Sequence, residues 1–374
     1  MARSENSHQP RAIVLDTRAP LVISSAARRA SSIVSGAVDG MTTPAMRRTR
    51  FVCISDTHNY TVSLPKGDVL IHAGDITNQG SHSELSKAVK WLEAADFEAK
   101  IVIAGNHDIT LDAEFYSQHG HSFHNQTPQS SESCISLLTS SPSITYLAHT
   151  SATVRLTSPD GPRTTFKVFG SPHAPRHGLW AFYYDADTPA AAALWDAVPP
   201  DADVVVTHTP PRGHRDATKP STPAAKGPAA GCEALRRALW RVRPRLAVCG
   251  HIHDGRGAER LAWDLGTAFE ERHTATWTDP GEGKGSKKIS LVDLTGKRGQ
   301  PALDNDGSRI VMQHSGHEME SSLSAEARGR IGRRETCIVN AAIMKSRYPH
   351  VGGKEYYKPI VVDVDLPVWE EAAS

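Results

Sequence analysis

The chain is poor in the features that mark special classes of protein. Five cysteines among 374 residues (Cys53, Cys134, Cys232, Cys249, Cys337) lie far apart without any Cys-x-x-Cys spacing. That argues against a disulfide framework or a thiolate metal cluster and for a reducing compartment. No apolar run approaches the roughly eighteen residues that a membrane span needs. The N-terminal stretch RAIVLDTRAPLVISS is interrupted by Asp16 and Arg18, so it lacks the apolar centre of a signal peptide. A cytoplasmic location is expected. Charge of one sign is missing too: 42 Lys and Arg stand against 41 Asp and Glu, which removes the general electrostatic argument for nucleic acid as partner. Any partner has to be recognised at a local site.

Composition shifts divide the chain. Residues 1–49 are rich in Arg, Ser and Ala and show no sustained period, as expected of a disordered tail. An organelle transit peptide is the minor alternative, weakened by Asp16 and Asp39, and Met41 is a second candidate start. Residues 50–263 alternate short β-branched runs with helical patterns, the sign of a layered α/β domain. Two helices are predicted within SHSELSKAVKWLEAADF and GCEALRRALWRVRPR, the arginines of the second forming a solvated face rather than a nucleic-acid patch. Residues 264–335 are polar and read as a long insertion, largely loop. Residues 336–374 return to strand texture and complete the domain.

Within the domain, apolar runs repeatedly stop on side chains that bind metals. RFVCISDTH ends on Asp56 and His58, DVLIHAGD on Asp75, KIVIAGNHD on Asn106 and His107, ADVVVTH on His208, and RLAVCGHIH on His251 and His253. Ligands of α/β sheets bind beyond the carboxyl ends of strands. Five strands therefore deliver seven ligand-type side chains and one extra histidine to a common edge. Imidazole and carboxylate together suit Zn, Fe or Mn, whereas Ca or Mg would favour oxygen throughout. Asp75, after a glycine, is the natural bridge between two ions, and Asn106 supplies a neutral oxygen. Two divalent ions opposed by two carboxylates and a bridging hydroxide leave a charge that a phosphodiester neutralises and a monoester dianion overshoots, which leans towards diesters.

The blocks SDTH, AGD, GNHD, THTPP and GHIH, in this order, resemble the calcineurin-like metallophosphoesterase superfamily. The finer blocks GDVLIHAGDIT, GSPHAP, VVVTHTPPRGH and GHIHDGRG resemble its small metallophosphoesterase-domain group of animals and fungi, sometimes linked to cyclic-nucleotide phosphodiesterases. The resemblance implies a four-layer αββα sandwich holding two divalent or mixed-valence metal ions (Mn, Fe or Zn). It places Asp56, His58 and His253 on one ion, Asp75 between them, and Asn106, His208 and His251 on the other. It also implies attack by a metal-bridging hydroxide, with His107 as general acid or phosphate donor and Asp108 holding the other ring nitrogen of His107. The expected substrate is a small phosphate ester, a cyclic nucleotide first. A Ser/Thr protein phosphatase or phosphomonoesterase is the alternative, disfavoured because Ile-Thr-Leu follows GNHD. A metal- or nucleotide-binding module with little turnover is the other.

Further histidines have weaker claims. HGHSFH (His119, His121, His124) and HSGH (His314, His317) have metal-like spacing but no flanking strand. His72, His173, Arg176, His177, Arg212 and His214 adjoin the motifs and are candidates for the cleft wall, with surface loop positions the competing reading.

Overall fold

The structure is a computed structural model, and it describes residues 45–218, 228–283, 285–306, 332–346 and 350–369. The expected disordered tail, the second start at Met41 and the HSGH histidines therefore lie outside the described residues, apart from Ala45 to Thr49. Two sheets carry the fold. The first runs in the order β13 (Ser290–Asp293), β15 (Ile360–Pro367), β1 (Met46–Ile54), β2 (Val69–Ala73), β3 (Ala99–Ile103), β4 (Thr145–Tyr146). The second runs β12 (Glu271–Thr276), β11 (Gly257–Trp263), β14 (Glu335–Asn340), β10 (Leu246–Cys249), β9 (Val204–Thr207), β6 (Thr165–Ser171), β5 (Thr150–Arg155). A two-stranded ribbon, β7 (Ala174–Pro175) with β8 (Tyr183–Tyr184), stands apart.

Alternation of side chains sorts three apolar layers. In β2, Val69, Ile71 and Ala73 face the space between the sheets, while Leu70 faces the helices α1 (His82–Ala94), α2 (Ala113–His119) and α3 (Ser131–Thr139). In β9, Val204 and Val206 enter the same central layer. Val205 packs outward with Trp195 of α4 (Pro189–Asp196) and Leu235 and Leu239 of α5 (Glu233–Val242). Helix, sheet, sheet, helix is the expected sandwich. The central strands are buried on both faces, so they read as continuous apolar runs rather than alternating ones. Among the described residues no helix is long and apolar enough to cross a membrane.

Local signals account for the helix ends. Ser81 accepts from the Glu84 backbone N–H while the Glu84 carboxylate accepts from the Ser81 N–H, a reciprocal cap at the start of α1. Helix α5 buries Leu235, Ala238, Leu239, Trp240 and Val242 and ends on Arg243 in a left-handed conformation. Its arginines are less solvated than the pattern predicts. Arg236 bridges Glu233 and Glu271, and Arg241 donates to the carbonyls of Trp195, Asp196 and Val198. Arg243 and Arg245, just beyond, are fully buried.

Two boundaries differ from expectation. Strand β1 begins at Met46 rather than near Arg50, because Met46 to Thr49 continue the antiparallel ladder with Pro367 to Val364. The 264–335 segment is not simply loop, since it supplies β12 and β13, the outer strand of each sheet. Both are short, and their polar surroundings hide them in a composition scan.

The β1–β15 pair lies inside the first sheet, and an ion pair reinforces its antiparallel ladder. In register, the Arg50 guanidinium donates from two nitrogens to the two oxygens of Asp363, each at 2.7 Å. The Asp363 residue is almost wholly buried. Removing one partner of such a pair strands the other charge, so Arg50→Ala is expected to cost about 3 kcal/mol, read as a lower denaturant midpoint.

Candidate metal centre

All five strand endings meet at one place, and both sheets contribute to it. The first sheet brings Asp56 and His58 after β1, Asp75 after β2, and Asn106 and His107 after β3. The second brings His208 after β9 and His251 and His253 after β10. Three overlapping groups place their ligand atoms within 4.8 Å of one another: Asp56, His58 and His253; His58, Asp75 and His107; Asp75, His208 and His251. His58 links the first group to the second, and Asp75 links the second to the third. Asn106 joins the last group, its Oδ1 lying 2.9 Å from His208 Nε2. Among the described residues, the HGHSFH histidines form no such group. His124 instead meets the Tyr116 hydroxyl at 3.0 Å.

The backbone is held in an uncommon shape to achieve this convergence. Asp56, His58, Asp75 and His251 all have positive φ, at 53°, 44°, 51° and 64°, a region few non-glycine residues occupy. Hydrogen bonds hold them there: Asp56 N–H donates to Gly74 O at 2.9 Å, and His58 N–H to Asp75 O at 3.1 Å. Glycines give the necessary room. A Cβ at Gly105 would collide with the backbone nitrogen and carboxylate of Asp75. One at Gly250 would collide with the Ser55 hydroxyl and the Asp56 carboxylate. The glycine before each of these ligand turns therefore serves close approach rather than flexibility.

Electrostatics complete the description. Asp56 and Asp75 are buried, which alone would raise their carboxyl pKa values. The hydrogen bond from His253 and the charges of His253 and His208 instead carry Asp56 down to about 2. His208, His107 and His58 hold Asp75 well below the ordinary range. Burial pushes His58 down to about 4 and, with the neighbouring His208, His251 to about 3. For His208 burial is outweighed by Asp75, which raises it to about 9. His208 Nδ1 lies 2.9 Å from the Ala73 carbonyl. A carbonyl can only accept, so Nδ1 carries hydrogen and Nε2 faces Asn106 and Asp75. These residues fit a pair of metal ions: two buried carboxylates, four imidazoles, that of His208 oriented by the Ala73 carbonyl, and one neutral amide oxygen, with no thiolate.

One expected contact is absent. Asp108 does not hold His107. Its carboxylate accepts from the backbone N–H groups of Ile76, Thr77 and Gly105 and from the Thr77 hydroxyl, at 2.7 to 3.1 Å. It clamps the turn after Asp75 to the turn before Asn106, and burial followed by the Asp75 charge raises it to about 6. His107 Nδ1 instead meets the Asn78 carbonyl at 2.9 Å. The side chain of Asp108 is withheld from His107 by four donors of the buried turn that it satisfies instead.

The other neighbours separate in the same way. His177 lines the cleft above the centre, whereas His72 is buried on Thr57. His214 lies buried between Glu259 and Glu271. His173 meets Ser171, Arg176 pairs with Asp185, and Arg212 is exposed. Asn340 was not singled out by its sequence context. At the end of β14 its amide donates to the carbonyls of Arg215, Gly250 and Ile252, fastening the turn that carries His251 and His253. The run TCIVN is a further apolar stretch stopping on a polar residue, and that was its signal.

Comparison with known proteins agrees with this geometry. The family model for calcineurin-like phosphoesterase matches residues 49–255, and the chain belongs to that family. It is 39% identical to metallophosphoesterase domain-containing protein 1 of Homo sapiens over 222 residues, 56% of this chain and 62% of that protein. A probable rhamnogalacturonate lyase C of Emericella nidulans is 42% identical over 219 residues, 58% of this chain but 18% of that protein. A UPF0046 protein of Caenorhabditis elegans is 34% identical over 210 residues, 56% of this chain and 64% of that protein. The chain thus spans less than two thirds of the length of each of these relatives.

The proton on His208 has a measurable consequence. A metal taking Nε2 must displace it, so affinity for Mn or Zn is expected to rise as pH increases towards 9, by about tenfold per unit for one proton released. Calorimetry in buffers of different ionisation enthalpy checks the release. Gly105→Ala should weaken binding sharply at every pH, measured by metal content after dialysis.

Proposed function

We propose that this protein is a dinuclear metal-dependent phosphodiesterase, with cyclic nucleotides as the first candidate substrates. The observation that carries the reading is the sharing of His58 and Asp75 among three ligand groups. Asp75 belongs to the group with His208 and His251, and its Oδ2 lies 3.7 Å from Nε2 of His58 in the first group; it suits a bridging carboxylate, with Asp56, His58 and His253 to one side and Asn106, His208 and His251 to the other. Two bound ions would supply Lewis acidity at the phosphoryl oxygens and an activated water at neutral pH.

The remaining chemistry belongs to the chain. His107 stands beside the ligands, its ring 4.8 Å from that of His58 and perpendicular to it. With Nδ1 committed to the Asn78 carbonyl, Nε2 is the nitrogen free to pass a proton to the leaving oxygen. The Asp75 carboxylate accepts the His107 backbone N–H at 2.8 Å, so the acid and the bridging ligand are placed by one turn. Above them a cleft of about 700 Å³ is lined by His107, His177, Trp180, Met344 and Lys354 among others. That space exceeds what a bare phosphate needs and supports an ester with a bulky organic part.

Hydrolysis of diesters, cyclic nucleotides included, by the Mn-loaded protein beside monoesters and phosphopeptides tests the proposal. Activity confined to monoesters or phosphopeptides would overturn it. Asp75→Asn is expected to lose bound metal. His107→Ala should keep its metal content while kcat falls by about a hundredfold to ten-thousandfold, the usual range for a positioned acid.

A further inference from the structure

Resting on the phosphodiesterase reading, we propose that Trp180 forms an aromatic subsite for the leaving alcohol, which selects diesters whose leaving group carries a flat ring. The Trp180 ring lies 3.9 Å from the His107 ring, tilted by 33°, and both line the cleft. An acid that protonates the leaving oxygen must lie within hydrogen-bond reach of it. Whatever is attached to that oxygen is then brought against Trp180, the aromatic wall next to the acid.

The wall is built to stay in place. Phe123 supports Trp180 at 5.5 Å, and Phe115 stands next to Phe123 at 6.0 Å. The loop carrying Trp180 is tied to the ligand turn itself, since Ala181 N–H donates to the Asn106 carbonyl at 3.2 Å. Phe182 N–H donates to the Asp112 carboxylate at 2.8 Å. The backbone next to Trp180 is therefore tied to the turn that carries Asn106. Ile252 and Met344 add apolar surface to the same cleft, and Met344 lies outside residues 49–255 that the family model matches. A rigid aromatic face beside the acid favours a stacked or apolar leaving group over a small alkyl one.

The experiment compares methyl benzyl phosphate with methyl ethyl phosphate, whose leaving alcohols are of similar acidity, in the Mn-loaded full chain. Release of benzyl alcohol or ethanol is followed separately from release of methanol. In the wild-type protein the ratio of kcat/KM for benzyl over ethyl release is expected to be about ten or more, the scale of selectivity that one apolar contact gives. Trp180→Ala should bring that ratio close to one, and Trp180→Phe should restore most of it. Trp180→Leu, which keeps apolar bulk against Phe123, serves if the alanine variant does not fold and should also lower the ratio. A wild-type ratio near one, or a ratio unchanged in the variants, overturns the subsite. Hydrolysis of cyclic nucleotides without turnover of either dialkyl diester overturns the subsite alone, whereas failure on every diester, cyclic nucleotides included, overturns the phosphodiesterase reading and the subsite with it.

Discussion

Two buried carboxylates, each grouped with His58, impose the strongest constraint on this molecule. Neither Asp56 nor Asp75 reaches water to any extent, and unpaired buried charge is among the costliest features a fold can carry. Their surroundings answer that cost. Asp56 receives the His251 N–H and lies 3.3 Å from His253 Nε2, while Asp75 receives the His107 N–H and lies 3.4 Å from His208 Nε2. The positive φ values, the glycines without room for a Cβ and the amide of Asn340 all serve to bring those groups into range.

The sandwich geometry follows from the same requirement. Ligands come from both sheets, so the centre holds only if the sheets meet at a fixed distance and offset. The apolar layer between them sets the distance, with Phe51 against Phe166 at 5.3 Å as one contact across it. Where the strands end, the apolar layer gives way to the histidines and carboxylates. Packing fixes what the ligands could not fix for themselves.

Much of this was legible in the sequence because its main elements are buried on both sides. Continuous apolar runs such as VLIHA and KIVIA stop sharply, and the residue after the stop stands out against them. While the four-layer sandwich was implied by the family resemblance, a layered α/β domain and the gathering of Asp56, His58, Asp75, Asn106, His208, His251 and His253 at one edge could be read in that way. The role of Asp108 could not. A residue next to His107 in sequence points elsewhere once the turn closes, and Asn78, distant in sequence, contributes its carbonyl instead. Strands β12 and β13 were hidden for a different reason: β12 is exposed along nearly its whole length and β13 is only four residues long, so neither stands out from the polar segment around it.

Those two edge strands do more than lengthen the sheets. The chain leaves the second sheet at β12 and enters the first at β13, crossing the side of the sandwich where the central layer would otherwise open to water. Trp277, on the crossing, packs on that layer and donates its indole N–H to the Leu291 carbonyl at 3.0 Å. The segment acts as a stopper for the core. Integrity of the fold thus depends on a stretch outside residues 49–255, and cutting the chain back to the span that the family model matches would uncover the space between the sheets.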